Sequence, residues 1–167
     1  MIVNIGDKKP RIHPSVFLAE GVMVIGDVEI GSESSVWFNT VLRGDINAIR
    51  VGDRTNIQDL CVFHVTRQNE VNIGSNVTVG HGAVIHGATV GDYCLIGMGS
   101  TLLDGVRVGP SSLVAAGSLV REGFEIPEGN LVAGVPATVK RALTSKEREF
   151  IGRSAENYIH YVQLYRQ

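Results

Sequence analysis

Apolar residues recur every six positions along most of this chain. The series is Ile12, Leu18, Val24, Ile30, Val36, Leu42, Val51, Ile57, Phe63, Ile73, Val79, Ile85, Val90, Ile96, Leu102, Val108, Val114 and Val120. Three gaps depart from six: Leu42 to Val51, Phe63 to Ile73 and Ile85 to Val90. A second position keeps phase with the first. Four residues after the beat, side chains are small or β-branched almost throughout, from Val16, Val22 and Val28 through Ile46, Cys61, Ala83, Thr89 and Cys94 to Ser118, with Arg67 the exception. Glycine often follows the beat residue, as at Gly31, Gly52, Gly74, Gly80, Gly91, Gly97 and Gly109. It tolerates positive φ and so suits corners. Each hexad therefore predicts one short strand and one corner, and three hexads close a triangular coil. The eighteen hexads predict six coils over about residues 11–121. Stacked roughly 4.8 Å apart, such coils bury a continuous apolar column that no single coil could bury alone. The predicted fold class is an all-β solenoid, a parallel β-helix. Valine-rich strands in a sandwich would not hold two positions in phase.

After the coils the beat fades. Residues 122–143 are rich in glycine and proline and predict an extended connection. A helix over about 145–165 follows, opened by a capping box of Thr144 and Glu147. Ile151, Ala155, Tyr158, Ile159, Val162 and Tyr165 fall on one helical face. That face must pack on a flank of the prism or on a neighbouring subunit. The whole chain, 1–167, reads as one domain.

Composition narrows the function classes. The chain is 44% hydrophobic with one Trp and five Phe, which suits a narrow prism filled by Val and Ile. Its net charge of −2 and lack of a basic run argue against nucleic-acid or anionic-membrane binding. No apolar stretch of membrane-spanning length and no signal-peptide pattern is present, so a cytoplasmic location is expected. Cys61 and Cys94 both occupy the small interior position, five hexads apart and so on different faces. They read as buried reduced thiols.

The repeat converts spacing into geometry. His64 follows the beat residue Phe63 and His86 follows Ile85, three hexads later. The two imidazoles therefore occupy the same place on adjacent coils, within reach of one metal ion. His81 lies two residues after Val79, one hexad before Ile85, and belongs to another face. It can join the pair only from a second chain. A three-cornered coil suits a homotrimer with metal shared at each of three interfaces. Arg43 follows Leu42 and stacks beneath His64, and Asp45 is near enough to pair with an arginine. Asp59 lies one coil below His81 and could accept from its ring, while Gln58 on the same rung could hydrogen-bond a metal-held water. Arg43 and Asp45 fit an interface salt bridge equally well. His13 and His160 have no such partners.

These residues resemble the γ-class carbonic anhydrases of the hexapeptide-repeat superfamily. The matching stretches are Val41-Leu42-Arg43-Gly44-Asp45, Asn56-Ile57-Gln58-Asp59, His64 and Gly80-His81-Gly82-Ala83-Val84-Ile85-His86-Gly87, extended by Ile96-Gly97-Met98-Gly99 and Gly134-Val135-Pro136-Ala137. The last stretch is shared with hexapeptide acyltransferases. The resemblance implies a left-handed β-helix with a C-terminal helix, assembled as trimers. The handedness comes from the resemblance alone, because the general crossover rule favours the right-handed form. It implies Zn2+, with Fe2+ or Co2+ as alternatives, on His64, His81 and His86. It also implies that Arg43, Asp45, Asn56, Gln58 and Asp59 line the site and that Tyr158 approaches it from the helix. The implied reaction is reversible hydration of CO2 to bicarbonate by a zinc-activated water.

The sequence departs from the family prototype in two places. Ile46 stands where the prototype carries a glutamate after Arg-Gly-Asp, and the acidic loop after the first ligand is reduced to Val65-Thr66-Arg67-Gln68-Asn69-Glu70. Glu70 is the sole carboxylate there. The metal ligands are complete while the proton-transfer apparatus is thin, which implies weak hydration activity. A metal-dependent thioesterase, an acyltransferase, or a non-catalytic assembly protein on the same scaffold are the alternatives. No Ser or Cys nucleophile motif accompanies them.

Overall fold

The computed structural model of the protein describes residues 1–166. It is a left-handed parallel β-helix of about seven turns with one C-terminal helix. Three ladders of short parallel strands make the three faces. The first face stacks Ile12, Ile30, Val51, Ile73, Val90, Val108 and Ile126 in register. The second stacks Leu18, Val36, Ile57, Val79, Ile96, Val114 and Val132. The third stacks Val24, Leu42, Phe63, Ile85, Leu102 and Val120. Strands Met23–Ile30 and Val41–Val51 run continuously round the corner between the third and first faces and join them into one sheet. Most beat residues beyond Leu18 are fully or nearly fully buried, which is the continuous column that stacking provides.

The corners explain the second position that keeps phase. Val22, Val28, Ser34, Thr40, Thr55, Cys61, Val77, Ala83, Cys94, Ser100, Val106, Ser112 and Ser118 are all buried, and several of their hydroxyls bond backbone carbonyls one coil away, as Thr40 Oγ1 does to Gln58 (2.7 Å). Counting forward fails at the three breaks. There Ile46 and Arg67 face outward and Thr89 is half-buried. Ile49, Val71 and Ala88, each two residues before the next beat residue, fill the corner instead. The interior position is fixed by the strand it precedes, so inserted residues are expelled ahead of it. All three breaks fall at one corner, between the third and first faces, on three successive coils.

The solenoid also runs further than the beat read to Val120. Residues 122–143, expected as an extended connection, add two more rungs, Glu125–Ile126 and Asn130–Gly134. An antiparallel strand, Ala137–Ala142, then folds back on the last rung. Ile126 and Val132 keep the six-residue spacing; the Gly and Pro residues around them are corner residues of the same repeat. At the other end Ile2–Val3 pairs with Val24–Ile25.

The helix Ser145–Tyr165 has both halves of the capping box: Thr144 Oγ1 accepts from Glu147 N, and Glu147 accepts from Thr144 N at 2.8 Å. Its buried residues Ile151, Ala155 and Val162 pack on the second face of the same chain. Trp37 receives the edges of Tyr158 and Tyr165, with ring centroids 5.3 and 5.2 Å away. No helix among the described residues is long and apolar enough to cross a membrane.

Candidate metal centre

Stacking on the third face brings three predicted residues into one column. Arg43, His64 and His86 are direct partners on adjacent strands. His64 Nδ1 lies 3.0 Å from His86 Nε2. Each ring is held at its other nitrogen by a carboxylate: His64 Nε2 by Asp45 Oδ1 at 3.1 Å and His86 Nδ1 by Asp104 Oδ1 at 2.5 Å. An ionised carboxylate only accepts, so the ring nitrogen facing it carries the proton. The other two ring nitrogens face each other and can share one cation between them.

Asp45 is the hub of this column. It sits in the three-residue insertion of strand Val41–Val51 and accepts from Arg43 Nη1 through Oδ2 at 2.5 Å, and from Ile46 N through Oδ1 at 3.0 Å. Lys8 Nζ bonds its carbonyl at 2.6 Å. Burial opposes the charged form, but the hydrogen bonds from Arg43 and His64 outweigh it and hold the carboxyl below its ordinary range. The Arg43–Asp45 pair is thus made within one chain. The insertion also meets the reduced loop above it, where Asn47 Nδ2 donates to the Thr66 carbonyl at 3.0 Å. Glu70 accepts from Asn72 Nδ2 at 2.7 Å, and Ile46 is exposed.

His81 lies in the turn after Thr78–Val79, on the corner between the second and third faces. The turn at His81 and Gly82 and the strand Val84–His86 separate it from His86. His81 Nδ1 lies 2.6 Å from Asp59 Oδ2 on a half-exposed ring. Its backbone N–H donates to Gln58 Oε1 at 3.2 Å. Buried Gln58 donates in turn to Asn56 Oδ1 at 3.2 Å, and Asn56 to Thr78 Oγ1 at 2.9 Å. Tyr158, Asp59, His81 and Trp37 line one cleft of about 320 Å³. Burial, with the nearby Asp59 charge, pushes the Tyr158 hydroxyl up to about 12. The structure therefore gathers Asn56, Gln58, Asp59, His81 and Tyr158 on one corner and Arg43, Asp45, His64 and His86 on another. His13 bonds Ser15 and lies apart from both groups.

Asp104 is the functional candidate that the sequence reading missed. It lies two residues after Leu102, the beat residue directly above Ile85. Counting one coil upward from His86 lands beside it.

The residues fit a divalent ion in a specific way. A tetrahedral zinc with Zn–N bonds of about 2.0–2.1 Å holds two nitrogens about 3.3 Å apart, close to the 3.0 Å between His64 and His86. Among the described residues of one chain, no three His, Cys, Asp or Glu side chains converge as a ligand set.

Residues 70–104 match the bacterial transferase hexapeptide (six repeats) model. Over 99% of its length the chain is 46% identical to a carbonic anhydrase of Geobacillus kaustophilus, covering 91% of that protein. The chain belongs to the γ-class carbonic anhydrase-like family of hexapeptide-repeat proteins. Within that family it is 49% identical over 170 residues to mitochondrial gamma carbonic anhydrase 2 of Arabidopsis thaliana, of whose length it spans 61%. A crystal structure from Bacillus cereus, provisionally described as an acetyltransferase, superposes with a TM-score of 0.97 at 43% identity, covering 99% of this chain and 96% of that one. The γ-class-like fold is thus shared by proteins described under two activities.

Proposed function

We propose that this protein is a metal-dependent enzyme that hydrates CO2 to bicarbonate at the interfaces of a homotrimer. His64 and His86 of one subunit and His81 of the next hold one ion, Zn2+ or alternatively Fe2+ or Co2+. The facing nitrogens of His64 and His86 carry this reading. Two ring nitrogens 3.0 Å apart can hold one cation between them, and the carboxylates behind both rings keep those nitrogens turned inward. Among the described residues of one chain His81 does not converge with the pair, so a neighbouring subunit supplies the third imidazole. Exposed Leu60, Val62 and Met98, near His81 and on the third face, supply apolar surface for that contact.

When bound, such an ion supplies a Lewis acid that brings the pKa of water near 7. The chain's own residues do the rest. Asp45 and Asp104 accept from the ring nitrogens of His64 and His86, fixing tautomer and direction, and Asp59 lies against the ring of His81. Gln58, anchored through Asn56, has a second amide proton free to orient the attacking oxygen. Arg43 neutralises Asp45, so that the carboxylate holds its imidazole without adding a net negative charge beside CO2. Proton export is the weak link. Ile46 offers no acid, and the carboxylate of Glu70 is engaged by Asn72, so turnover is slow and depends on buffer.

The test is stopped-flow CO2 hydration on protein of measured metal content, run beside acyl-CoA thioesters. Metal-loaded protein that hydrates CO2, accelerates with buffer and loses both metal and activity in His81→Ala supports the proposal. Metal-loaded protein that is inert to CO2 but cleaves thioesters overturns it.

A further inference from the structure

A second cleft, of about 290 Å³, opens beside the candidate centre between the helix and the second face. It is polar at one end and apolar at the other. Gln58, Thr78, His81 and Ser154 line its lower end, with Thr78 donating to Ser154 at 3.0 Å. Its upper end is lined by Leu95, Leu113, Met98, Ala116 and Phe150. The floor between them is Gly80, Gly97 and Ala115, one above another on successive coils. A Cβ on Gly97 would run into the backbone of Ala115 and Ala116, so the floor stays bare for a structural reason. Leu95 and Leu113 are outward-pointing strand residues only partly covered by the helix, and Met98 and Phe150 are exposed opposite them.

The order of linings decides the occupant. The trench climbs two coil steps from the His81 rung to the Ala116 rung, roughly 10 Å at about 4.8 Å per step. At about 30 Å³ per water-sized atom group, its volume holds roughly ten non-hydrogen atoms. CO2 has three. A linear molecule with a polar head at Gln58 and His81 and an unbranched alkyl tail toward Leu113 and Ala116 matches both the polarity and the length. We infer that this cleft binds a medium-chain acyl group, with its carbonyl end beside His81 and its alkyl tail along the Gly97 floor. Its source is either a free carboxylate or an acyl thioester. Binding of this group is read without turnover, so its absence and the absence of CO2 hydration are distinguishable.

The experiment is calorimetric titration of the full-length protein with octanoate, butyrate and S-octanoyl-N-acetylcysteamine. At least one octanoyl probe binds at least tenfold more tightly than butyrate. The tighter of the two names the source. Ala116→Trp places an indole in the upper end from an exposed position and removes that preference. Phe150→Ala, which deletes an exposed wall, weakens octanoyl binding several-fold. Circular dichroism melts confirm that both variants stay folded. Equal affinity for octanoate, its thioester and butyrate overturns the inference, as does an octanoyl preference that survives in folded Ala116→Trp.

Discussion

His64 Nδ1 and His86 Nε2 face each other at 3.0 Å across one coil step, each ring pinned from behind by a carboxylate. A folded chain that holds two ring nitrogens so close is stabilised by whatever cation joins them. Adding Zn2+ at about a thousand times its dissociation constant contributes about 4 kcal/mol, seen as a rise in melting temperature that a chelator reverses. His64→Ala loses the rise. An equal rise in that variant places the metal elsewhere.

Asp104 touches the candidate ligands only through His86. Asp104→Ala leaves Nδ1 without its acceptor and frees the ring to turn. Loss of such a partner typically weakens metal binding by about 10–100-fold. Competition titration against a chromophoric chelator reads this directly, and unchanged affinity would remove Asp104 from the site.

Glu147 gives a pH signature far from the centre. Hydrogen bonds from Arg141, then from the Thr144 backbone and hydroxyl, hold its carboxyl down at about 2. A carboxyl depressed on folding stabilises above its unfolded pKa, about 4.3, and that contribution is lost as pH falls toward 2. Glu147→Gln should therefore melt lower than the parent at pH 6–7, with the two curves converging toward pH 2. A gap that persists at pH 2 would assign the effect to packing.

Burial pushes the thiol of Cys61 up to about 11 and that of Cys94 up to about 12. Neither is a thiolate at pH 8, and neither is open to solvent. Ellman's reagent should find no reactive thiol in the native protein and two after unfolding in guanidinium. Rapid reaction in the native state would show that the coil opens at one of these corners.

Much of this arrangement can be counted along the chain. A period of six, closed in threes, puts Leu42, Phe63 and Ile85 on one face and Ile57 and Val79 on another, and the residues following them are carried into place by the same register. Stacking leaves almost no freedom once the phase is known. Counting fails where the chain leaves the prism. At the corner of the three breaks, Ile46 and Arg67 are expelled and Ile49 and Val71 take the interior. The phase there is set by the following strand, which a forward count cannot see. Asp104 escaped for a related reason: its link to His86 runs diagonally, one coil up and one residue along. Residues 122–143 hid two further rungs because Gly123, Pro127 and Gly129, which read as punctuation, are corners of the same repeat. The amphipathic cleft was not visible either, since the helix that walls it approaches through Phe150 and Ser154, outside the period altogether.

Sharing of each metal between subunits is tested most directly by subunit mixing. Chains carrying His81→Ala retain His64 and His86, and chains carrying both His64→Ala and His86→Ala retain His81. Each alone forms no complete site. Co-expressed, they should assemble mixed trimers in which one interface of three is whole, recovering metal and CO2 hydration at up to a third of the parent level. Mixed trimers with no more metal than either parent variant would contradict the account.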